Sequence, residues 1–140
     1  DGGSVWEALT MSGIISDRKL VTYIPAFENS ETGCFSACAF MFFAGNPRIV
    51  EGDLGVHQFG AYNPQADEEE VNRGQAQQIT QFTTSEVIGF LNEFNTPPWV
   101  YERMFRSREI YPFSEDEKVE DVFLGRSDDA IGYLVRVVRR

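Results

Sequence analysis

Two lysines, two cysteines and one histidine are all that occur in 140 residues, and each scarcity removes a class of chemistry. With His57 alone beside Cys34 and Cys38, no ligand set spaced for zinc can be assembled, and neither a metal nor a cofactor is expected. Lys19 and Lys118 leave little room for a mechanism that needs a lysine base. No apolar run reaches the roughly 18 residues of a membrane-spanning helix. The longest, Ala37 to Ala44, matches a short buried helix. No basic and apolar signal segment opens the chain. Positive charge is also short: 12 basic residues against 22 acidic ones leave a net charge of −10. Such a surface repels phosphate backbones, so nucleic acid is not an expected partner.

What is present fits a water-exposed globular chain, 42% hydrophobic and 24% charged. The length suits one domain over 1–140. Val5, Trp6, Leu9, Ile14 and Ile15 recur at helical spacing after Gly2-Gly3-Ser4. Leu20 to Pro25 has strand character, Phe27 to Gly33 reads as a polar turn, and Phe35 to Ala44 as a buried helix stopped by Gly45-Asn46-Pro47. Arg48 to Val50 and Leu54 to Gln58 are short strands, followed by a solvated acidic run at Asp67 to Glu70. A long amphipathic helix is expected from about Gln75 to Phe94. A second begins with Thr96 as N-cap, and a third opens on a Ser114/Glu117 capping box. Ile131 to Val138 reads as a last strand. The rhythm predicts an α/β architecture.

Three segments carry candidate chemistry, and each has a plain structural alternative. Gly2-Gly3 before a helix either makes a turn or frees backbone N–H groups to face a developing oxyanion. Ser36, where a loop enters an apolar helix, is either an N-cap or an exposed nucleophile with the Ala37 N–H beside it. His57, at the end of an apolar strand, is either a packed structural residue or the base such a serine needs near neutral pH. The combination favours the catalytic reading.

At these residues the sequence resembles a known family. Ser36-x-x-Ala39-Phe40-x-x-x-Ala44-Gly45, then a short strand, a turn and apolar-apolar-His57-Gln58, is similar to the catalytic segment of the Clp protease proteolytic subunit. Gly2-Gly3 resembles that family's oxyanion glycine pair, and the spacings to Ser36 and His57 are close to the family's. Cys34-x-Ser36-Ala37-Cys38 resembles an extracytoplasmic bacterial branch, which implies a periplasmic location. The likeness covers Gly2 to Gln58, thins towards Leu124 and omits the last fifteen residues.

The resemblance implies a Clp/crotonase-like ββα spiral whose N-terminal strands precede this chain. It also implies a serine peptidase acting through an acyl-enzyme on peptides or unfolded proteins. Ser36 would attack, His57 would move the proton, and the N–H groups of Gly3 and Ala37 would hold the oxyanion. The family's third residue is an Asp, but none occurs between Asp67 and Asp116. Glu109 lies nearest that position, with Glu102 in reserve. The family also implies a homo-oligomer built partly on the helix after the histidine strand. Cys34 and Cys38 are either a disulfide pinning the serine or two packed thiols. The readings set against the peptidase are an acyl-CoA hydratase or isomerase, a serine–lysine peptidase, and an inactive Clp-like fold serving as an assembly module.

Overall fold

The structure is a computed structural model and describes residues 3–29, 32–58 and 84–118. Helix α1 (Val5–Asp17) opens where Ser4 Oγ accepts the Glu7 N–H at 3.4 Å, with the Glu7 carboxylate in the first turn facing the positive end of the helix dipole. Its inner face is narrow: Ala8, Leu9 and Ser12 are buried, and Ser12 returns its hydroxyl proton to the Ala8 carbonyl at 2.7 Å. Small residues one turn apart let α1 lie close against α2 (Ala37–Phe43).

Among the described residues, five short strands form two sheets. β1 (Thr22–Ile24) pairs in parallel with β3 (Arg48–Val50), with Tyr23 opposite Ile49. β2 (Gly33–Phe35) pairs in parallel with β4 (Asp53–Val56), and β5 (Tyr111–Pro112) runs antiparallel along the other side of β4. Residues 84–93 are helical (α3), followed by α4 (Pro98–Arg106) and the single turn α5 (Glu115–Lys118). The mixed α/β class read from the sequence is therefore present.

The core collects around α2. Phe40, Phe42 and Phe43 meet Leu54 and Val56 of β4, Val87 and Leu91 of α3, Val100 and Met104 of α4, and Phe113. Each such side chain, fully buried, contributes about 1.5–3 kcal/mol. Phe113 holds edge-to-face contacts with Phe43, Trp99 and Tyr111 at centroid distances of 6.5, 5.7 and 5.5 Å. Arg48 is 1% exposed; it donates to the Gly45 carbonyl at 3.3 Å and to the Phe94 carbonyl, tying β3 to the end of α3. Burial pulls its guanidinium down to about 10, against the opposing influence of the Tyr101 phenol.

Several boundaries differ from expectation for physical reasons. The helix expected from Phe35 starts at Ala37, because Gly33 to Phe35 pair with β4 as a strand. β4 ends at Val56, so His57 and Gln58 lie just beyond it. Pro97, not Thr96, caps α4: a residue before proline is driven extended, and Pro97 sits at ψ 143° with its carbonyl accepting from Val100. The Ser114/Glu117 capping box forms as read, with reciprocal bonds of 3.0 and 3.2 Å. Gln75 to Thr83, the acidic run and the strand read at Ile131 to Val138 lie outside the described residues.

Candidate active site

Ser36 links the end of β2 to the start of α2 at φ 59°, ψ −122°. Three non-glycine residues among those described have positive φ: Lys19, Ser36 and Asn95. Lys19 and Asn95 follow helix ends, where a left-handed residue commonly stops a helix. Ser36 instead precedes a helix, at a ψ outside the left-handed well, a conformation that costs on the order of 1–3 kcal/mol. It has the N-cap position but makes no side-chain capping bond, so the capping alternative falls away.

The surroundings over-determine that backbone. The Ser36 N–H donates to the Gly55 carbonyl at 3.2 Å, and its own carbonyl accepts from Ala39 at 3.0 Å. A disulfide joins Cys34 of β2 to Cys38 in the first turn of α2, with Cα atoms 5.2 Å apart, which resolves the choice the sequence left open. A Cβ at Gly55 would stand 2.6 Å from Ile110 Cγ2 and 3.0 Å from the Tyr111 carbonyl, so a side chain there would push Ile110 aside.

Parallel pairing then sets the histidine. Phe35, the last residue of β2, stands opposite Gly55, and the Ser36 N–H still reaches the Gly55 carbonyl; on the partner strand Val56 and then His57 follow. Because β2 and β4 run parallel, the serine and the histidine leave the sheet at the same end of these two strands. His57 is half-buried, and its Nδ1 lies 2.8 Å from the Gln58 carbonyl oxygen. Among the described residues no hydrogen bond joins Ser36 Oγ to His57.

Neither candidate acid meets the imidazole. From Phe113 to Tyr111 the chain follows β4 in register, but Gln58 N–H then donates to Ser107 O at 2.7 Å, two residues off that register. The difference is taken up by a bend at Arg108–Glu109 that turns Glu109 to solvent, with its N–H held by Ser107 Oγ at 3.0 Å. Glu102 is exposed and pairs with Arg106 at 3.5 Å. Among the described residues no ion pair or hydrogen bond links His57 to Glu109 or Glu102, contrary to the expectation of an acid third member.

The oxyanion candidates divide. Ala37 is buried at the first turn of α2, where helix N–H groups have no partner inside the helix. Gly3 is exposed before α1, with open space where a side chain would be, and among the described residues no hydrogen bond brings it to Ser36. Gly2 lies outside the described residues.

The lysines stand elsewhere. Lys118 is 2% exposed and donates to the Gly52 carbonyl at 3.0 Å and to Glu115 at 2.5 Å. Gly52 precedes β4, five residues and so about 16 Å along the strand from His57 at ~3.3 Å per residue. Lys19 is exposed beyond the C-terminus of α1.

A polar cluster ties β5 to α4 and α5. The Tyr111 hydroxyl donates to Glu117 at 2.9 Å, and the Arg103 guanidinium lies 5.4 Å from the Tyr111 ring and 3.7 Å from Glu117. Burial alone would raise the Glu117 carboxyl, but the Ser114 N–H, both hydroxyls and the Arg103 charge hold it below the usual carboxylate range. Sequence reasoning gave no role to Gly55, Gln58 or Ser107; the carbonyls of Gly55, Gln58 and Ser107 that accept hydrogen bonds here are main-chain groups every residue carries. A groove of about 180 Å³ runs beside the disulfide, walled by Tyr23, Ile24, Met41 and Phe42.

No protein-family profile, curated protein sequence or solved structure matches this chain.

Proposed function

We propose that this chain carries the catalytic centre of a serine peptidase on a Clp/crotonase-like framework, with Ser36 as nucleophile and His57 as base. The observation that carries this reading is the backbone of Ser36. A serine is held at φ 59° between a strand and a helix, its hydroxyl makes no capping bond, and the chain's one histidine follows the adjacent parallel strand. Strain of this kind persists where function needs a side chain presented, and a strand–turn–helix nucleophile is the known pattern.

In the proposed reaction Ser36 Oγ attacks the peptide carbonyl as His57 Nε2 takes its proton. The oxyanion is held by the Ala37 N–H and, by resemblance, the Gly3 N–H. Each such donor is worth about 3 kcal/mol. His57 then protonates the leaving amine, an ester remains on Ser36, and water activated by the same imidazole releases the acid. The groove beside the disulfide offers apolar walls to an extended peptide or unfolded-protein substrate. The disulfide supports an oxidising, extracytoplasmic compartment. A homo-oligomer remains part of the proposal. Val87, Leu91 and Phe94 are buried in the core, so assembly draws on exposed Trp6, Met11 and Ile14.

The inactive assembly module is the second reading, favoured by the lack of a carboxylate at His57 among the described residues. A fluorophosphonate probe separates them. Labelling that vanishes in Ser36→Ala and falls by at least about a thousandfold in His57→Ala supports the peptidase. An unlabelled, folded protein supports the module.

A further inference from the structure

We infer that the main-chain carbonyl of Gln58, and not a side-chain acid, is the group that fixes the tautomer of His57. The inference rests on the peptidase reading for its catalytic meaning, though the geometry stands without it. A carbonyl oxygen can only accept a hydrogen bond, so a 2.8 Å contact with Nδ1 requires the proton on Nδ1. In the neutral ring Nε2 is then bare, which is the form able to take a proton from a serine hydroxyl. A side-chain carboxylate ordinarily does this work. Here Glu109 is turned to solvent by the Arg108–Glu109 bend, and Glu102 is paired with Arg106.

The carbonyl does not swing freely. The Gln58 N–H donates to the Ser107 carbonyl at 2.7 Å, and Ser107 in turn holds the Glu109 N–H through Oγ. The link between α4 and β5 thus fixes the residue that orients the histidine. Its function is positioning. A neutral dipole supplies the orienting part of a triad acid's role but less of the charge stabilisation, since hydrogen bonds to ionised groups are roughly twice as strong as neutral ones. The site is therefore expected to hold the correct tautomer while reacting more slowly than one with a buried carboxylate.

One histidine in the chain makes the test direct. Ring-¹⁵N-labelled histidine in the intact protein, at a pH where the imidazole is neutral, gives a single pair of nitrogen resonances. The inference expects Nδ1 at the proton-bearing position and Nε2 at the bare one, the reverse of the preference of free histidine. Glu109→Gln is expected to leave that pattern in place. The opposite tautomer, an averaged pair, or a pattern lost in Glu109→Gln would overturn the inference. Replacing the Gln58–Phe59 amide by an ester weakens the carbonyl as an acceptor. It is expected to shift the pair towards the free-histidine pattern and to slow fluorophosphonate labelling about tenfold, the equivalent of one hydrogen bond. An unchanged tautomer in the ester protein also overturns it. Absence of labelling in the parent protein would refute the peptidase reading and leave the tautomer result intact; labelling with the wrong tautomer would do the reverse.

Discussion

The two ends of β4 are built on opposite principles. At the Gly52 end a lysine is buried and its ammonium is satisfied by a carbonyl and a carboxylate, while Gly52 itself donates to Ile24 O at 3.2 Å. At the His57 end a serine is held in a costly conformation, its hydroxyl makes no hydrogen bond among the described residues, and the imidazole has one bond. The first end is closed electrostatically and serves stability. The second leaves polar valences open on a rigid frame, which stability alone would not select.

The largest effect on this contrast is expected from Lys118→Ala, which strands the Gly52 carbonyl and opens a cavity. Urea unfolding should show a loss of about 3 kcal/mol, with Ser36 labelling at low temperature little changed. If labelling falls in parallel while the protein stays folded, the two ends are not separate. Next is removal of the disulfide in Cys34→Ala/Cys38→Ala. Chain entropy for so short a loop gives about 2 kcal/mol, and the sharper loss should be in labelling, because the bridge spans the strained serine. Equal labelling of oxidised and bridge-free protein would show that Gly55 and Ala39 hold the turn alone.

Ser36→Gly should move stability the other way. Glycine adopts this φ freely, so relief of strain is expected to offset glycine's greater unfolded-state entropy and leave a gain of about 1 kcal/mol by thermal or urea unfolding. A loss would mean that the conformation is not strained. The smallest effect is at Glu117. Its folded-state value is depressed, so its contribution is present above the ordinary carboxylate range of about 4.3 and fades as pH falls through the lower folded value. Glu117→Gln should reduce the neutral-pH stability by under about 1 kcal/mol and flatten the acid limb of unfolding. An acid limb identical to the parent's would remove Glu117 from that account.

What the sequence conveyed follows the range of the forces involved. α1, α2, β3 and the Ser114/Glu117 box were legible because periodicity and capping are local. β2 and β5 were not: three and two residues acquire strand geometry only by pairing with β4. Ser36 and His57 could be picked out as residue types, yet the φ of 59° at which Ser36 makes no capping bond is a property no residue letter encodes. Glu109 was read from its place in a resemblance, and the bend at Arg108–Glu109 carries it outward. His57 meets a main-chain carbonyl instead, a partner that every residue possesses and none advertises.

Gly55 gives the site a common mechanical origin. Its carbonyl fastens the serine's amide, its bare Cα admits Ile110, and the chain runs on through Val56 to the imidazole. The proposed nucleophile is thus fastened to the strand that leads, two residues on, to the proposed base, like two jaws on one arm. A displacement of that strand carries both together, preserving their separation better than two independent loops could. Drift in the surrounding surface is tolerated, whereas one methyl group at Gly55 would disturb both jaws at once.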